Sequence, residues 1–497
     1  MITDSVPADQ IYWYADQGPR RPTGYNETGY RNASASYFGR LSYDFAGKYL
    51  LTATFRADGT SKYQEKWGYF PSVGVGWVIS DEDFMKGQQI FNLLKLRGSW
   101  GKLGNDGVNA NPGYAVVFSG NDYSGVFGST GTTNGILQTG YRIDPIFGTV
   151  EWEVVTEWDG GIDFALMNNR LKGSLDYYHR QTDKLAFERN IPFISSIKQF
   201  GNWGKVNNSG IEVSLDWKDK IGDLGYQIGG NLSTIKNEVV DLQGLKNLPG
   251  GIAEFPTQSQ VGEPFSFFYG YQVAGIYQNQ AEIDADPIAV ANNLKPGYFK
   301  FKDQNGDKVI DALDRVNLGS YLPKITYGFN LGLDYKNFDF NIFFQGIGGN
   351  SVLNYNRALR QKFPDMNGDE DFVTHLWTGE GSTNKYPSAY ASTQSWNNNA
   401  SSFYVENGAY LRLQNIQLGY NFHIKNASFR LYATADRPVI WTRYNGITPE
   451  VAAPQQLPKD RAAGPSNTPA TFVSGFGYDN NVYPTTAVYT IGVRITY

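Results

Sequence analysis

Asp303, Asn305, Asp307, Asp311 and Asp314 stand at positions 1, 3, 5, 9 and 12 of one twelve-residue stretch, and Val309 at position 7 can add its backbone carbonyl. Oxygens at this spacing suit Ca²⁺, a hard cation that takes roughly six to eight of them from a tightly folded loop. Two departures weaken the pattern. Position 6 is Lys308, with Gly306 one place earlier, and position 12 is Asp rather than the longer bidentate Glu. The competing reading is an acidic turn held by Asx hydrogen bonds. Calcium is the one cofactor the sequence suggests; no organic cofactor is expected. A second acidic group, Asp365, Asn367, Asp369 and Asp371, shares the early spacing but lacks a later ligand, and reads better as a solvated loop tip.

Catalytic chemistry is poorly supported. The three histidines, His179, His375 and His423, lie far apart, and Cys is absent, so no thiolate nucleophile or thiolate metal site exists in this chain. HExxH, G-x-S-x-G, P-loop and G-x-G-x-x-G patterns are missing. The chain is therefore not read as an enzyme. Aromatic residues offer a different chemistry, because a ring face can stack on the apolar face of a sugar. Trp377, Trp396 and Tyr404 lie in a long polar segment, residues 348–408, and Trp441 ends an alternating run. These four are the candidate substrate-binding residues; loop packing is the bland alternative.

What must position these residues is a series of strands. Tyr327, Phe329, Leu331, Leu333 and Tyr335 alternate with Gly328, Asn330, Gly332 and Asp334, and similar alternation runs over Ile211–Trp217 and Tyr489–Tyr497. Successive strand side chains point to opposite faces, so each run has one apolar and one polar face. About 13 such segments are predicted: 37–45, 49–58, 70–79, 94–101, 152–166, 171–185, 203–217, 225–240, 323–335, 338–347, 409–422, 428–441 and 487–497. In the run near Tyr410 the apolar parity changes between Leu413 and Ile416, which calls for a β-bulge near Gln414–Asn415. Helical membrane spans are excluded, since no stretch of about 18 apolar residues occurs. Charged residues are 18% of the chain and aromatics 15%. The first value is below the roughly 25% of soluble domains. A net charge of −5 gives no encouragement to a nucleic-acid partner.

The links between segments sort by length. Short ones centre on Ala46–Gly47, Asn168–Asn169, Lys218–Leu224, Lys336–Asn337 and His423–Ala427; long ones span 102–151, 186–202, 241–322, 348–408 and 442–486. Short turns on one rim and long loops on the other are the habit of bacterial outer-membrane barrels. The fold is thus read as all-β, an antiparallel transmembrane β-barrel, with residues 37–497 the barrel portion and its long extracellular loops. Polar-parity residues facing the lumen include Glu212, Asp216, Asp334, Asp339, Asn341, Gln345, Arg412, Gln414, Arg430 and Arg494. Counting strand directions back from Tyr497 makes 37–45 a downward strand, so residues 1–36 would form an external loop or lead-in segment. An odd strand number with an external start, and no signal peptide at Met1, predict the C-terminal part of a longer chain or one part of a split barrel.

The strand sequences resemble the SusC/RagA-type TonB-dependent transporters of Bacteroidetes outer membranes. The resemblance is carried by YFGRLSYDFAGKYLLTATFRADGTSKY (Tyr37–Tyr63), WGYFPSVGVGWVISDEDFM (Trp67–Met85), LKLRGSWGKLGND (Leu94–Asp106), the stretch Trp152–Leu185, NNSGIEVSLDW (Asn207–Trp217), the stretch Gly297–Asn350, YLRLQNIQLGYNF (Tyr410–Phe422) and YPTTAVYTIGVRITY (Tyr483–Tyr497). It implies a barrel of about 22 strands, of which about 13 are here, with an N-terminal plug. It also implies import of glycans, glycan fragments or peptides in the cell outer membrane, with a SusD-like surface lipoprotein as partner. Drive would come from the TonB complex through the N-terminal part, whose plug and TonB-box residues lie outside this chain. The alternative is a surface glycan-binding or adhesin-type β-protein without transport. The aromatic C-terminus, Tyr497, fits the signal that outer-membrane assembly reads.

Overall fold

The structure is a computed structural model that describes residues 33–107, 117–127, 136–143, 146–147, 150–191, 194–362, 367–425, 427–451, 476–480 and 482–497. The lead-in 1–32 and Asp365 lie outside the described residues.

Each of the alternating runs is a strand: β1 (Ser34–Phe45), β2 (Tyr49–Thr60), β3 (Trp67–Val78), β4 (Phe91–Asn105), β5 (Glu153–Leu166), β6 (Leu171–Ile191), β7 (Ile194–Ile221), β8 (Leu224–Thr234), β9 (Ile325–Tyr335), β10 (Phe338–Gly348), β11 (Tyr410–Ile424), β12 (Ala427–Thr442) and β13 (Val488–Thr496). They pair in that order as one antiparallel sheet, and β1 and β13 each have a sheet partner on one side only among the described residues. The turn rim is built from left-handed residues. Ala46 and Gly47 have φ of 58° and 69°, and the Gly47 N–H is held by Asp44 Oδ1 at 2.7 Å. Gly222 (φ 59°) and Lys336 (φ 52°) do the same for the turns after β7 and β9. Two links are shorter than expected from the sequence: β7 and β8 meet at Gly222–Asp223, and β11 runs to Ile424 with β12 starting at Ala427.

Three sequence expectations change in detail. The segment 186–202 is mostly strand rather than loop, because β6 and β7 run on together to Ile191 and Ile194. The loop 102–151 contains a further strand pair, Val117–Phe127 with Ile136–Ile143. The segment 225–240 is interrupted at Ile235, whose N–H turns to the Lys324 carbonyl at 2.9 Å. Its pairing on β7 nevertheless keeps one register, Glu212 with Ser233 and Ser209 with Lys236.

Register shows why alternation matters. One cross-strand row reads Leu166, Leu171, Trp217, Ile228, Leu331, Ile342, Ile416, Ala435, Tyr489. One residue along, the row is Lys218, Gln227, Gly332, Asn341, Gln417, Thr434, Thr490. A slip of a single residue would exchange these faces. Among the described residues no second sheet covers the apolar face: Leu215 is 44% exposed, Val493 59% and Ile491 82%. Monomeric soluble proteins rarely leave so continuous an apolar surface in water. At the turn rim the same face carries Phe45, Tyr49 and Trp77, paired strand to strand.

The parity change in β11 is resolved by a bulge. Phe343 pairs with Asn415 and Phe344 with Leu413, leaving Gln414 unpaired, so Leu411, Leu413 and Ile416 share the apolar face. On the other side Gln414 faces the two unpaired residues Arg437 and Pro438, with Arg437 at φ 53°. Proline, which has no N–H to give a ladder, is tolerated at such an irregularity.

The three long segments after β8, β10 and β12 share a core. Phe255, Phe268, Tyr271, Phe299 and Phe301 from the first pack with Leu353, Phe372, Tyr386, Phe403 and Tyr404 from the second and Tyr478 from the third. Tyr478 Oη donates to the Phe255 carbonyl at 2.6 Å, tying first to third. These loops form a packed cap at the long-loop rim.

Candidate functional site

The polar face of the sheet carries ordered charge. Arg97 on β4 reaches Asp159 (3.3 Å) and Asp163 (3.1 Å) on β5 and Asp176 (2.6 Å) on β6. The guanidinium presents several donors in a fixed fork, so a single Arg can join three strands this way. Asp339 on β10 pairs with Arg430 on β12 and accepts from Asn421 Nδ2 at 3.0 Å. Arg412, near the long-loop rim, pairs with Glu450 and donates to Gln345 Oε1 at 3.1 Å. Between these ionic groups lies an uncharged stretch: Gln227, Asn330, Asn341, Asn415 and Phe343 line a depression of about 260 Å³. The polar-parity residues of the sequence reading thus share one face, and the structure adds that Asp339, Arg412 and Arg430 are already in ion pairs.

Above the sheet, the cap is organised by a buried cation. Arg357, 1% exposed, makes ion pairs with Asp369 (2.8 Å), Asp371 (3.1 Å) and Glu406 (3.0 Å). A charge taken out of water must be paired and hydrogen-bonded, and three carboxylates do this for one guanidinium. Asp371 also accepts from Tyr386 Oη at 2.6 Å. Burial pushes the Asp371 carboxyl up, but Tyr386, Arg357, Lys385 and His375 outweigh it and hold it below the usual carboxylate range. Nearby, buried Asp479 accepts from Tyr444 Oη (2.7 Å) and Asn356 Nδ2 (3.1 Å). Burial dominates there and raises its carboxyl. The acidic spacing of Asp369 and Asp371, read as a solvated tip, is a counter-ion set instead. The sequence signal was available, since Arg357 and Arg360 precede the acids, but it needs the fold to bring Glu406 across.

The loop Asp303–Asp314 is shaped by Asx turns. Asp303 accepts from Gly306 N (2.7 Å) and Lys308 N (2.8 Å), Asn305 Oδ1 from Asp307 N (3.0 Å), and Asp307 Oδ1 from Val309 N (2.8 Å). The Lys308 amide, with lesser help from Gly306, keeps the Asp303 carboxyl below its ordinary value. Asp311 caps the short turn Ala312–Asp314 by accepting from Leu313 N at 2.7 Å. Asp314 is buried, and its two oxygens accept from Gln304 N (2.8 Å) and Asp311 N (2.9 Å). Among the described residues no three acidic or histidine side chains converge as a metal set. The oxygens of Asp303, Asn305 and Asp307 are thus engaged by backbone amides, and Asp314 has a capping role.

The four aromatic candidates do not form one platform. Tyr404 is 1% exposed in the cap core, its Oη bonded to the Asn397 carbonyl at 3.0 Å. Trp377 and Trp396 pack on the same core and spend their indole N–H groups on Gln278 Oε1 (3.2 Å) and the Phe299 carbonyl (2.8 Å). Trp441 lies elsewhere, on the apolar face of β12 beside Phe344, with ring centres 6.4 Å apart. The expectation of an exposed stacking surface is corrected for Tyr404, and Trp441 belongs to the apolar face of the sheet, paired with Leu411. The reason is physical: large rings bury more area in a shared core than in water.

Residues 5–436 match the family model described as TonB dependent receptor-like, beta-barrel. The chain is 32% identical over 493 residues to TonB-dependent receptor P26 of Formosa agariphila, covering 93% of this chain and 46% of that protein. It is 28% identical over 493 residues to TonB-dependent receptor SusC of Bacteroides thetaiotaomicron, covering 94% and 44%. The chain therefore spans about half the length of the curated relatives it matches. Among solved structures, the RagAB peptide transporter superposes with a TM-score of 0.72 at 22% identity, over 98% of this chain and 50% of that one.

Proposed function

The chain belongs to the TonB-dependent receptor-like β-barrel family, and on that premise we propose that it is the barrel portion of an outer-membrane importer. The apolar face lies against lipid, and the polar face, with Arg97, Asp176, Asn330 and Asn341, lines the solute path. Support comes above all from one observation: apolar and polar rows hold register across successive strands while the apolar row stays uncovered. A surface-binding β-protein without transport would have to leave that row in water. The edges of β1 and β13 fit further strands of a larger barrel, in keeping with the greater length of the relatives. The cargo in this reading is a glycan, glycan fragment or peptide. A SusD-like lipoprotein would sit on the cap, and TonB would act through the part of the protein that relatives carry beyond this chain. Calcium at Asp303, Asn305 and Asp307 would stiffen the cap's edge.

Uptake decides the matter. A strain lacking the gene, supplied with labelled oligosaccharides and peptides, should lose uptake of one class, and removing the proton-motive force should abolish the same uptake in the parent. Undiminished energised uptake of every class in the deleted strain would refute the transport reading.

A further inference from the structure

The turn between β3 and β4 is the longest at its rim, and its position is fixed by a carboxylate. Glu82 accepts from Tyr49 Oη (2.6 Å), Trp77 Nε1 (3.0 Å) and Lys48 Nζ (3.2 Å). Tyr49 and Trp77 are paired neighbours on the apolar face. A residue bonded to both must lie over that face, so the turn folds to the outside of the sheet and not across its polar side. It is also stiff. Two short 3₁₀ turns, Ile79–Asp81 and Asp83–Met85, follow one another, and Gln88 clamps the return, its Oε1 accepting from Ile90 N and Phe91 N at 2.7 Å each. This stiff turn presents Phe84 and Ile90, 69% and 66% exposed, to no protein surface. Lys86, between them in the chain, is exposed and bonds Asp83 at 2.6 Å.

We propose that this turn is a lipid-binding wedge: Phe84 and Ile90 enter the adjoining membrane leaflet, with Glu82 as the tether that aims them. The occupant is lipid acyl chain, because Glu82 holds the turn against Tyr49 and Trp77, on the apolar face that no protein surface covers among the described residues. Interfacial segments of this kind seat their apolar side chains about 5–10 Å into the boundary. The local acids Asp81, Glu82 and Asp83 outnumber Lys48 and Lys86, so attraction to anionic head groups is not the source of binding. The proposal rests on the barrel reading above and adds a specific contact to it.

The absence of native Cys makes the test clean. Nitroxide labels are placed singly by Phe84→Cys, Ile90→Cys, Lys86→Cys and, mid-strand on the apolar face, Leu331→Cys. Depth is measured in lipid nanodiscs by collision with oxygen against a water-soluble nickel chelate. The expected result is a depth of about 5–10 Å at 84 and 90, with 86 in water. Adding Glu82→Ala should move the label at 84 toward water while 331 stays in lipid; an unchanged depth at 84 would overturn the tether. Water exposure at 84 and 90 with 331 in lipid overturns the wedge alone. Water exposure at 331 as well overturns the barrel reading beneath it.

Discussion

Leu331 and Asn330 are adjacent on β9, yet they should respond oppositely to the same substitution. Leu331 sits between Ile228 and Ile342 on the apolar face; Asn330 sits between Gly229 and Phe343 on the polar one. The strand has 11 residues. At about 3.3 Å per residue and a tilt near 45°, it rises roughly 25 Å, the height of a barrel's apolar band, so both positions lie close to the midplane. Leu331→Arg should therefore cost about 2–4 kcal/mol, or roughly 30- to 900-fold in the folding equilibrium. Asn330→Arg meets water and neighbouring amides and should cost about 1 kcal/mol or less. Urea titration of vesicle-embedded protein, followed by tryptophan emission and by folded-band mobility on gels, separates the two. Equal costs at both positions would show that the faces are assigned wrongly, whatever the family resemblance.

Three further outcomes follow from the cap. Arg357→Met strands Asp369, Asp371 and Glu406 without their cation, and should cost the cap about 3–5 kcal/mol; hydrogen exchange should speed up at 354–362, 369–375 and 405–407 and leave β9 and β10 unchanged. Asp371 is held below the ordinary carboxylate value of 3.8. Its charge therefore stabilises the folded cap above about that pH, and this stabilisation is lost as pH falls through the lowered folded value. The penalty of Asp371→Asn, measured by near-ultraviolet dichroism melts, should be full at pH 7 and vanish in stronger acid. Calorimetric titration should find calcium bound with a dissociation constant of about 10⁻⁴–10⁻³ M and lost in Asp303→Asn; silence at millimolar calcium would remove the site.

The sheet was legible because its information is local. Alternation at Tyr327–Tyr335 is visible in a window of nine residues, and the parity change at Leu413–Ile416 forces a bulge whatever the neighbours do. Lys336 and Ala46 mark turns by position alone, since the alternating runs on either side must reverse there. The cap was not legible, because its determinants are far apart in the chain. Tyr404 and Trp396 look like loop residues until Phe255, Phe299 and Tyr478 are brought to them. Arg357 stands near Asp369 and Asp371 in sequence, but its third carboxylate, Glu406, arrives from the end of the same long loop. Tyr49 and Trp77 fall inside the predicted segments 49–58 and 70–79, but their hydrogen bonds to Glu82 needed the β2–β3 register.

The irregularity at Gln414 opposite Arg437 and Pro438 has a consequence for assembly. A perfectly regular ladder can slide by two residues and still keep every side chain on its proper side, so hydrophobicity alone leaves staggered mispairings nearly degenerate. Here such a slide would press a kinked backbone against a straight one, and Arg437 would hold its left-handed φ with no matching gap beside it. The two kinks work as tooth and notch, so β11 and β12 seat at a single stagger as the wall is sewn together.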